Sequence, residues 1–267
     1  MEKILFPIKK ELEIFENKLK KVVLSEDNFL AYDLEKFLFS NPKRLRPIFI
    51  FLFAKILKID SSYIFDIALI AELIHSASLI HDDVIDEDVA RRGNITIYKK
   101  YGSKLAVLEG DLLLSLALEC ISKTTLEISR IFASRIKKTI LGEISQNENI
   151  QKMISDEMYF KKTYAKTANL FVVGLEALFT LSQEEKNLLN FIENYAIAFQ
   201  IKNDIDNFKN SKSDIRNGNY TLPVIYSSLE KSIAKVEEYK KIALGALANI
   251  EDSLYKISLV KIVNHTL

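Results

Sequence analysis

Residues 73–93 read LIHSASLIHDDVIDEDVARRG, and this stretch joins an apolar helix to a cluster of carboxylates. Asp82 and Asp86 are four residues apart, so they share one face of a helix, and Asp83 lies beside them. Carboxylates at this spacing repel one another, and a hard divalent cation such as Mg²⁺ relieves that repulsion. A solvated acidic helix end is the alternative, but residues 73–80 are mostly apolar and indicate a buried helix. The segment therefore predicts a magnesium site where a core helix emerges.

Basic residues accompany this helix on both sides in the sequence. Arg91 and Arg92 follow the carboxylates after a short loop, and residues 42–47 read PKRLRP. Guanidinium groups bind phosphate oxygens through paired hydrogen bonds, and a helix start adds its own positive potential. The two groups therefore predict diphosphate sites beside the metal, with an ordinary salt-bridge network as the competing interpretation.

The amino-acid composition and net charge argue against several classes of protein. The chain has 267 residues, a formal net charge of +1, 48% hydrophobic and 27% charged residues, which is typical of a globular protein. A net charge near zero gives no bulk attraction to nucleic acid, so no nucleic-acid partner is expected. One cysteine and three histidines argue against a disulfide framework and a thiolate zinc site. Any divalent metal is therefore expected to bind through carboxylates, which suits Mg²⁺.

The pattern of apolar residues is helical almost throughout the chain. Only 7 glycines and 4 prolines are present, which disfavours a sheet protein with many turns. Apolar residues recur every three or four positions, and no stretch shows strict alternation. We therefore predict a single all-α domain over residues 1–267, with helices over 4–22, 48–57, 63–86, 105–121, 126–154, 158–181, 184–208, 222–234 and 236–262.

No targeting or membrane segment is expected from the sequence. The N-terminal residues carry charges throughout, whereas a signal peptide needs an uninterrupted apolar stretch. The longest apolar run is Ile48–Ala54, much shorter than the roughly 20 residues of a membrane-spanning helix. The prediction is a cytoplasmic protein with no transmembrane segment.

Several short motifs follow one another along the chain. They are Lys43-Arg44-Leu45-Arg46-Pro47, residues 78–86 with Arg91-Arg92-Gly93, Gly110-Asp111, Gly142-Glu143 with Gln146, Lys166-Thr167, Phe199-Gln200 and Thr221-Leu222-Pro223. Their order and content resemble the motifs of the trans-type isoprenyl diphosphate synthases, also called polyprenyl synthetases. The resemblance covers about residues 41–225, and seven ordered matches are far more specific than one Asp-Asp-x-x-Asp.

The resemblance implies a fold and a reaction. The fold is a helical bundle of the isoprenoid synthase type with a central active-site cavity. The reaction is head-to-tail condensation of an allylic diphosphate with isopentenyl diphosphate. Mg²⁺ ions, about three per site, stabilise the departing diphosphate at two aspartate-rich regions. A homodimer is also implied.

Position by position, the resemblance assigns roles to individual residues. The metal ligands are Asp82, Asp83, Asp86, Asp204 and Asn203. Isopentenyl diphosphate binds Lys43, Arg46, His75 and Arg92, and the allylic diphosphate binds Arg91, Lys166, Thr167 and Gln200. The residues expected to carry catalysis are Asp82, Asp83, Lys166, Thr167 and Gln200. A lone histidine on an apolar helix is more often a core residue, and the family position is what favours a substrate role for His75.

The second aspartate-rich region departs from the family pattern. Residues 200–207 read QIKNDIDN, where the family has Gln-x-x-Asp-Asp-x-x-Asp. Asn203 and Asn207 bring no charge, and Asp206 is displaced by one position, which is about 100° around a helix. Asn219 stands where the family has a lysine. We therefore predict weaker metal binding here or compensation by Asp206, and a non-catalytic subunit of a two-component synthase is the alternative.

Product length is argued from the helix that precedes Asp82. Ala77 lies five residues earlier, roughly 7.5 Å along the helix, and Ser78 lies four residues earlier. Both are small, whereas short-chain members of the family tend to place an aromatic floor there. The resemblance therefore favours a medium or long product, as in a bacterial octaprenyl-like enzyme, over a farnesyl or geranylgeranyl diphosphate synthase.

Two other classes of protein remain as alternatives. A class I terpene cyclase shares the all-α fold, and its second metal motif often begins Asn-Asp, as Asn203-Asp204 does. However, Asn207 and Ser211 stand where that motif needs Ser or Thr and then Glu, and a cyclase leaves the basic groups unexplained. A structural helical interaction protein explains the periodicity but not the ordered motifs.

Overall fold

The computed structural model describes residues 2–24, 31–182, 187–210 and 212–267. Helices make up most of this part of the chain, so the predicted all-α fold class is confirmed. The only sheet among the described residues is an antiparallel hairpin of two short strands, β1 (Ala90–Arg91) and β2 (Asn94–Ile95).

The α-helices follow one another with short connections. In chain order they are α1 (Glu2–Leu5), α2 (Lys9–Val23), α3 (Ala31–Phe39), α4 (Leu45–Ile56), α5 (Tyr63–Ile85), α6 (Ile97–Tyr101), α7 (Ser103–Ser122), α8 (Leu126–Glu148), α9 (Asp156–Thr163), α10 (Asn169–Phe179), α11 (Leu188–Lys209), α12 (Ser213–Arg216), α13 (Leu222–Ile225), α14 (Leu229–Ala246) and α15 (Leu254–Thr266). A 3₁₀ turn, Phe6–Ile8, precedes α2, and a π-helical turn, Tyr164–Ala168, joins α9 to α10.

These elements form two compact units, each named after its central helix. The α5 unit comprises Ile8–Phe51 and Asp60–Ser129, and the α11 unit comprises residues 1–7, 52–59 and 130–267. Folding as a single domain stays a prediction.

Helix α5 is the core helix of its unit and packs mainly against α7. Apolar residues occupy most of its circumference, and the residues from Ile67 to Ile74 are all buried. It is also the one helix of the described chain with the length and hydropathy of a membrane span, and 61% of that window is buried. Such burial is typical of the core helix of a globular unit.

Helix α11 has the corresponding place in the other unit, where it packs against α14, α10 and the π turn. Phe191, Tyr195 and Phe199 recur every four residues and stack along one side, with ring centroids 6.2 and 5.9 Å apart. Residues at this spacing are neighbours on a helix surface. The stacked rings therefore hold in place the part of α11 that immediately precedes Gln200.

The hairpin occupies the segment that the sequence marks as a break at Gly93. Arg92 and Gly93 both have positive φ angles, 51° and 78°. Two such residues between paired strands make a type I′ turn, and Arg91 pairs with Asn94 across it. The chain therefore presents its two arginines on a short, defined loop.

Serine caps account for the helix ends that apolar periodicity missed. We predicted helices over 222–234 and 236–262, whereas α13, α14 and α15 occupy this region, with breaks over 226–228 and 247–253. Ser228 and Ser253 accept hydrogen bonds from backbone amides three residues later, which starts each helix. The predicted helix start at Glu184 lies outside the described residues.

Candidate active site

The carboxylates at the end of α5 divide into an accessible pair and a buried one. Asp82 and Asp86 are partly exposed and lie one turn apart, and the Asp86 amide donates to the Asp82 carbonyl (2.8 Å). Asp83 is only 2% exposed, and its Oδ1 accepts a hydrogen bond from Arg91 Nε (2.6 Å). Asp82 and Asp86 therefore present their carboxylates together, while Asp83 holds the hairpin arginine.

Several bonds tie the hairpin to the end of α5. Burial raises the pKa of the Asp83 carboxyl to about 6, and the Arg91 guanidinium opposes part of that rise. The Asp83 carboxylate is thus ionised at neutral pH and paired with Arg91. The Thr96 hydroxyl donates to the Asp88 carbonyl (2.6 Å) and accepts from the Lys99 amide (3.0 Å), which caps α6.

His75 lies in an electropositive part of the α5 unit. Burial lowers its pKa well below the usual value, and the charges of Arg46, Arg92 and Arg91 lower it further. The imidazole is therefore neutral at physiological pH. Arg46 and Arg92, which are also predicted to bind isopentenyl diphosphate, are thus within electrostatic range of His75, and Lys43 is exposed just before α4.

A basic cavity of about 160 Å³ lies beside the hairpin. Its lining includes Lys36, Arg91, Arg92 and Lys100. Lys100 Nζ donates to both oxygens of Asp33, which also lines the cavity, at 2.9 and 2.8 Å. Arg91 is paired with Asp83 and Lys100 with Asp33, so Lys36 and Arg92 supply the additional positive charge that favours an anionic ligand.

Arg44 stands between the predicted phosphate ligands and has a different role. Its Nη1 donates to Glu72 Oε1 (2.8 Å), and its Nε and Nη2 donate to Glu16 (2.7 and 3.0 Å). The side chains of Arg44 and Glu72 are each 6% exposed. This residue is a buried structural cation, and Glu72 inside the apolar run of α5 is the sequence signal for it.

Helices α5 and α7 meet closely at His81 and Gly110. A Cβ on Gly110 would lie 2.2 Å from His81 Nε2, so any larger residue would have to displace the His81 ring. The ring nitrogen lies 3.3 Å from the Val107 carbonyl and 3.4 Å from Asp111 Oδ1. The Gly-Asp motif therefore packs against the residue immediately before Asp82.

Gly110→Ala is expected to destabilise the protein by about 1–3 kcal/mol, because the added methyl overpacks the contact with the His81 ring. Urea unfolding measures the change. Gly245→Ala is the matched control, since its Cβ would meet nothing within 4 Å on helix α14. There the substitution should be neutral or stabilise by about 0.5–1 kcal/mol. Equal effects at both positions would contradict the steric account.

The α11 unit holds a chain of hydrogen bonds that runs from the π turn to Asp204. The Thr167 hydroxyl donates to Gln200 Oε1 (2.9 Å), and Gln200 Nε2 donates to Asp204 Oδ1 (2.7 Å). The hydroxyl of Tyr159, which is buried, donates to Asp204 Oδ2 (2.5 Å). Burial raises the pKa of Asp204, while these donors and nearby lysines lower it. The chain fixes the side chains of Thr167 and Gln200 in one arrangement.

Lys166 projects from the same π turn. Its Nζ lies 2.6 Å from Glu143 Oε2 on α8. A Cβ on Gly142 would lie 2.8 Å from the Ala165 Cβ, so glycine lets α8 approach this turn. π-Helical turns inside α-helices are frequent at functional sites. Sequence periodicity predicted one unbroken helix over 158–181 and did not reveal the turn.

The rest of the second aspartate-rich region shows little metal-binding character. Both oxygens of Asp206 accept from Lys202 Nζ at 2.6 Å, one turn earlier on α11. The Asn207 amide oxygen accepts from the Asp214 backbone amide (3.3 Å). Across the described residues, no three His, Cys, Asp or Glu side chains form a metal-binding group.

The residues predicted to control chain length lie one turn or more before Asp82. Ala77 is completely buried. Ser78 is partly buried, and its hydroxyl donates to the His75 carbonyl (2.8 Å). Both remain small side chains on the helix that carries the carboxylates.

Curated proteins of similar sequence are prenyltransferases. A protein from Cyanophora paradoxa named "Prenyl transferase" is 33% identical over 246 residues, covering 86% of this chain and 76% of that protein. The "Decaprenyl-diphosphate synthase" of Dictyostelium discoideum is 31% identical over 239 residues, covering 84% of this chain and 52% of that protein.

Solved structures of similar fold cover nearly the whole chain. Heptaprenyl diphosphate synthase from Staphylococcus aureus aligns with a TM-score of 0.89 and 26% identity over 97% of each chain. A polyprenyl synthase from Caulobacter crescentus, complexed with calcium and isoprenyl diphosphate, aligns with a TM-score of 0.91 and 22% identity over 98% of this chain and 96% of the other. The family model described as "Polyprenyl synthetase" matches residues 28–255. With its ordered motifs and helical fold, this chain therefore belongs to the polyprenyl synthetase family.

Proposed function

We propose that this chain is a polyprenyl diphosphate synthase that adds isopentenyl diphosphate to an allylic diphosphate, head to tail. The observation that carries the proposal is the family match over residues 28–255, which spans both aspartate-rich regions. Relatives named decaprenyl and solanesyl diphosphate synthases favour a medium or long product. An octaprenyl length and a bacterial source stay predictions.

Asp82 and Asp86 are the residues that would hold Mg²⁺. Two carboxylates one helical turn apart fit an ion that keeps several waters and takes other ligands from phosphate oxygens. When bound, Mg²⁺ supplies positive charge that stabilises the leaving diphosphate. Asp83 serves the site by fixing Arg91, whose Nε lies 2.6 Å away. The family resemblance implies about three Mg²⁺ ions per site. Whether this chain binds that number depends on the second aspartate-rich region.

The α5 unit supplies the groups for isopentenyl diphosphate. Arg46 and Arg92 lie near a neutral His75, and Lys43 adds a further cation. A neutral imidazole can donate one hydrogen bond without adding to the repulsion among the cations. The binding site proposed here therefore combines charge from the arginines and lysine with one uncharged donor.

The α11 unit supplies groups for the allylic diphosphate. In the reaction the allylic C–O bond breaks and its electron pair leaves with the diphosphate. The double bond of isopentenyl diphosphate attacks the allylic carbon, and transfer of a proton to the released diphosphate restores a double bond. Lys166, Thr167 and Gln200 are fixed by the bonds described above, so their dipoles and charge need no reorganisation as negative charge develops.

The proposal is tested by incubating the protein with farnesyl diphosphate, isopentenyl diphosphate and Mg²⁺, then separating the extracted lipids by chain length. Polyprenyl products longer than the primer are expected. Absence of elongation at every metal concentration would overturn the proposal. Activity only after adding a second protein would instead support a non-catalytic subunit, which the two asparagines of the second region favour.

Ala77→Tyr is expected to shorten the product, because its phenol would project from α5 about 7.5 Å before Asp82, where the growing chain is proposed to run. Chromatography of the products measures the shift. Ala77→Ser is the control and should leave the length unchanged. A folded tyrosine variant with an unchanged product would contradict this direction of the cavity.

We also propose a homodimer in the cytoplasm. Leu108 and Leu118 on α7 are 62% and 60% exposed, and Ile140 and Leu141 on α8 are 54% and 56% exposed. Groups of exposed apolar side chains mark interaction surfaces, and a second copy is the partner that the family resemblance implies. Sedimentation equilibrium distinguishes a dimer from a monomer.

A further inference from the structure

The one buried carboxylate of the second aspartate-rich region is already bonded within the protein. Asp204 is 4% exposed, and each of its oxygens accepts a hydrogen bond, from Tyr159 at 2.5 Å and from Gln200 at 2.7 Å. Mg²⁺ keeps part of its hydration shell and needs open access to its ligands. Asp204 offers no such access in this arrangement.

The other polar residues of the region do not replace it as metal ligands. Asp206 pairs through both oxygens with Lys202 at 2.6 Å. Asn203 and Asn207 carry no charge, and a neutral amide oxygen alone binds Mg²⁺ weakly. The negative charge that would attract a second-region cation is therefore small.

Lys162 brings positive charge to the same place. It precedes Lys166 by one helical turn, and its Nζ lies 5.6 Å from the ring centroid of Tyr159, the donor to Asp204. Among the described residues its ammonium forms no ion pair. It lines a small polar pocket together with Gln146 and Asn219. A half-buried cation that forms no ion pair, at the edge of such a pocket, is suited to bind an anionic oxygen.

We infer that Lys162 binds a diphosphate oxygen directly in the α11 unit, and that the second aspartate-rich region holds no metal ion. The inference rests on the proposed function for the identity of the anion. Asp204 is then a positioning residue that holds Tyr159 and Gln200, and the metal ions of this protein depend on Asp82 and Asp86.

Binding of Mn²⁺ and inorganic diphosphate to the full chain tests the inference without turnover. The number of Mn²⁺ ions bound per chain is counted by electron paramagnetic resonance at saturating diphosphate. We expect Asp204→Asn to leave this number unchanged and Asp82→Ala to lower it. Loss of one bound Mn²⁺ in Asp204→Asn, or no joint binding by the unmodified chain, would overturn the inference.

The role of Lys162 is tested by calorimetric titration with diphosphate at saturating Mn²⁺. Lys162→Met should weaken diphosphate binding by about tenfold or more at an unchanged Mn²⁺ count, and Lys162→Arg should restore most of it. Lys161→Met, at the adjacent exposed lysine, is the control and should bind normally. Equal affinity in Lys162→Met and the control would refute the assignment. These binding measurements do not depend on elongation. A negative result for Lys162 can therefore be distinguished from a failure of the proposed function, which the elongation assay tests.

Discussion

Asp82→Ala is expected to lower the rate of elongation by about a thousandfold, the largest effect on activity that we foresee for a single substitution. Asp82 and Asp86 are the accessible carboxylates at the end of α5, and Asp83 is bonded to Arg91 instead. Removing one of two ligands leaves too little charge to hold Mg²⁺ against the developing negative charge of the diphosphate. Initial rates with radiolabelled isopentenyl diphosphate measure the loss.

Two further measurements would show that the loss of activity in Asp82→Ala comes from weaker Mg²⁺ binding. Raising Mg²⁺ should recover part of the activity of Asp82→Ala, because weaker binding is offset by mass action. Glu87→Gln, at an exposed carboxylate a few residues later, should keep nearly full activity. A rate for Asp82→Ala within tenfold of the unmodified protein would contradict a metal-binding role for this carboxylate.

The sequence predicted the apolar core helix and its carboxylates well, because both are local patterns. Residues at i and i+4 share a helix face whatever the surroundings, so pairing Asp82 with Asp86 needed only their spacing. Asp83 lies about 100° around the helix, and its bond to Arg91 depends on the hairpin turn. The family prediction, made from seven ordered motifs, is confirmed by the match over residues 28–255.

The α11 unit was harder to predict because its features depend on contacts distant in sequence. The π turn at Tyr164–Ala168 leaves the apolar pattern of the helix nearly unchanged, so periodicity passes through it. The bond between Tyr159 and Asp204 joins residues 45 positions apart. Asn203 and Asn207 did show in the sequence that this region is unusual, but Lys162 became relevant only through its position beside Tyr159.

The cations before α4 show how a buried charge in one helix determines the role of a residue elsewhere in the sequence. Residues 42–47 contain three cations that look alike in the sequence. The structure separates them, because Arg44 is buried against Glu72, whereas Lys43 is exposed. Glu72 in an otherwise apolar segment requires a buried cation, and this requirement selects Arg44 from its neighbours.

Arg44→Met is therefore expected to destabilise the protein by about 3–5 kcal/mol, the largest effect on stability that we foresee. The substitution keeps an apolar side chain of similar length but leaves the Glu72 carboxylate buried without the guanidinium that lies 2.8 Å away. Urea unfolding followed by circular dichroism measures the free energy of unfolding.

The double variant Arg44→Met/Glu72→Leu separates an unpaired charge from a loss of packing. Because replacing a buried ion pair by apolar residues is often neutral, the double variant should recover most of the stability lost in Arg44→Met. Lys20→Met removes an exposed pair with Glu35 and should change stability by less than about 1 kcal/mol. If the double variant were as unstable as Arg44→Met, packing around the guanidinium, and not the buried charge of Glu72, would account for the loss. The contacts of Arg44 with the rings of Phe15 and Phe39 would then be the interactions to examine.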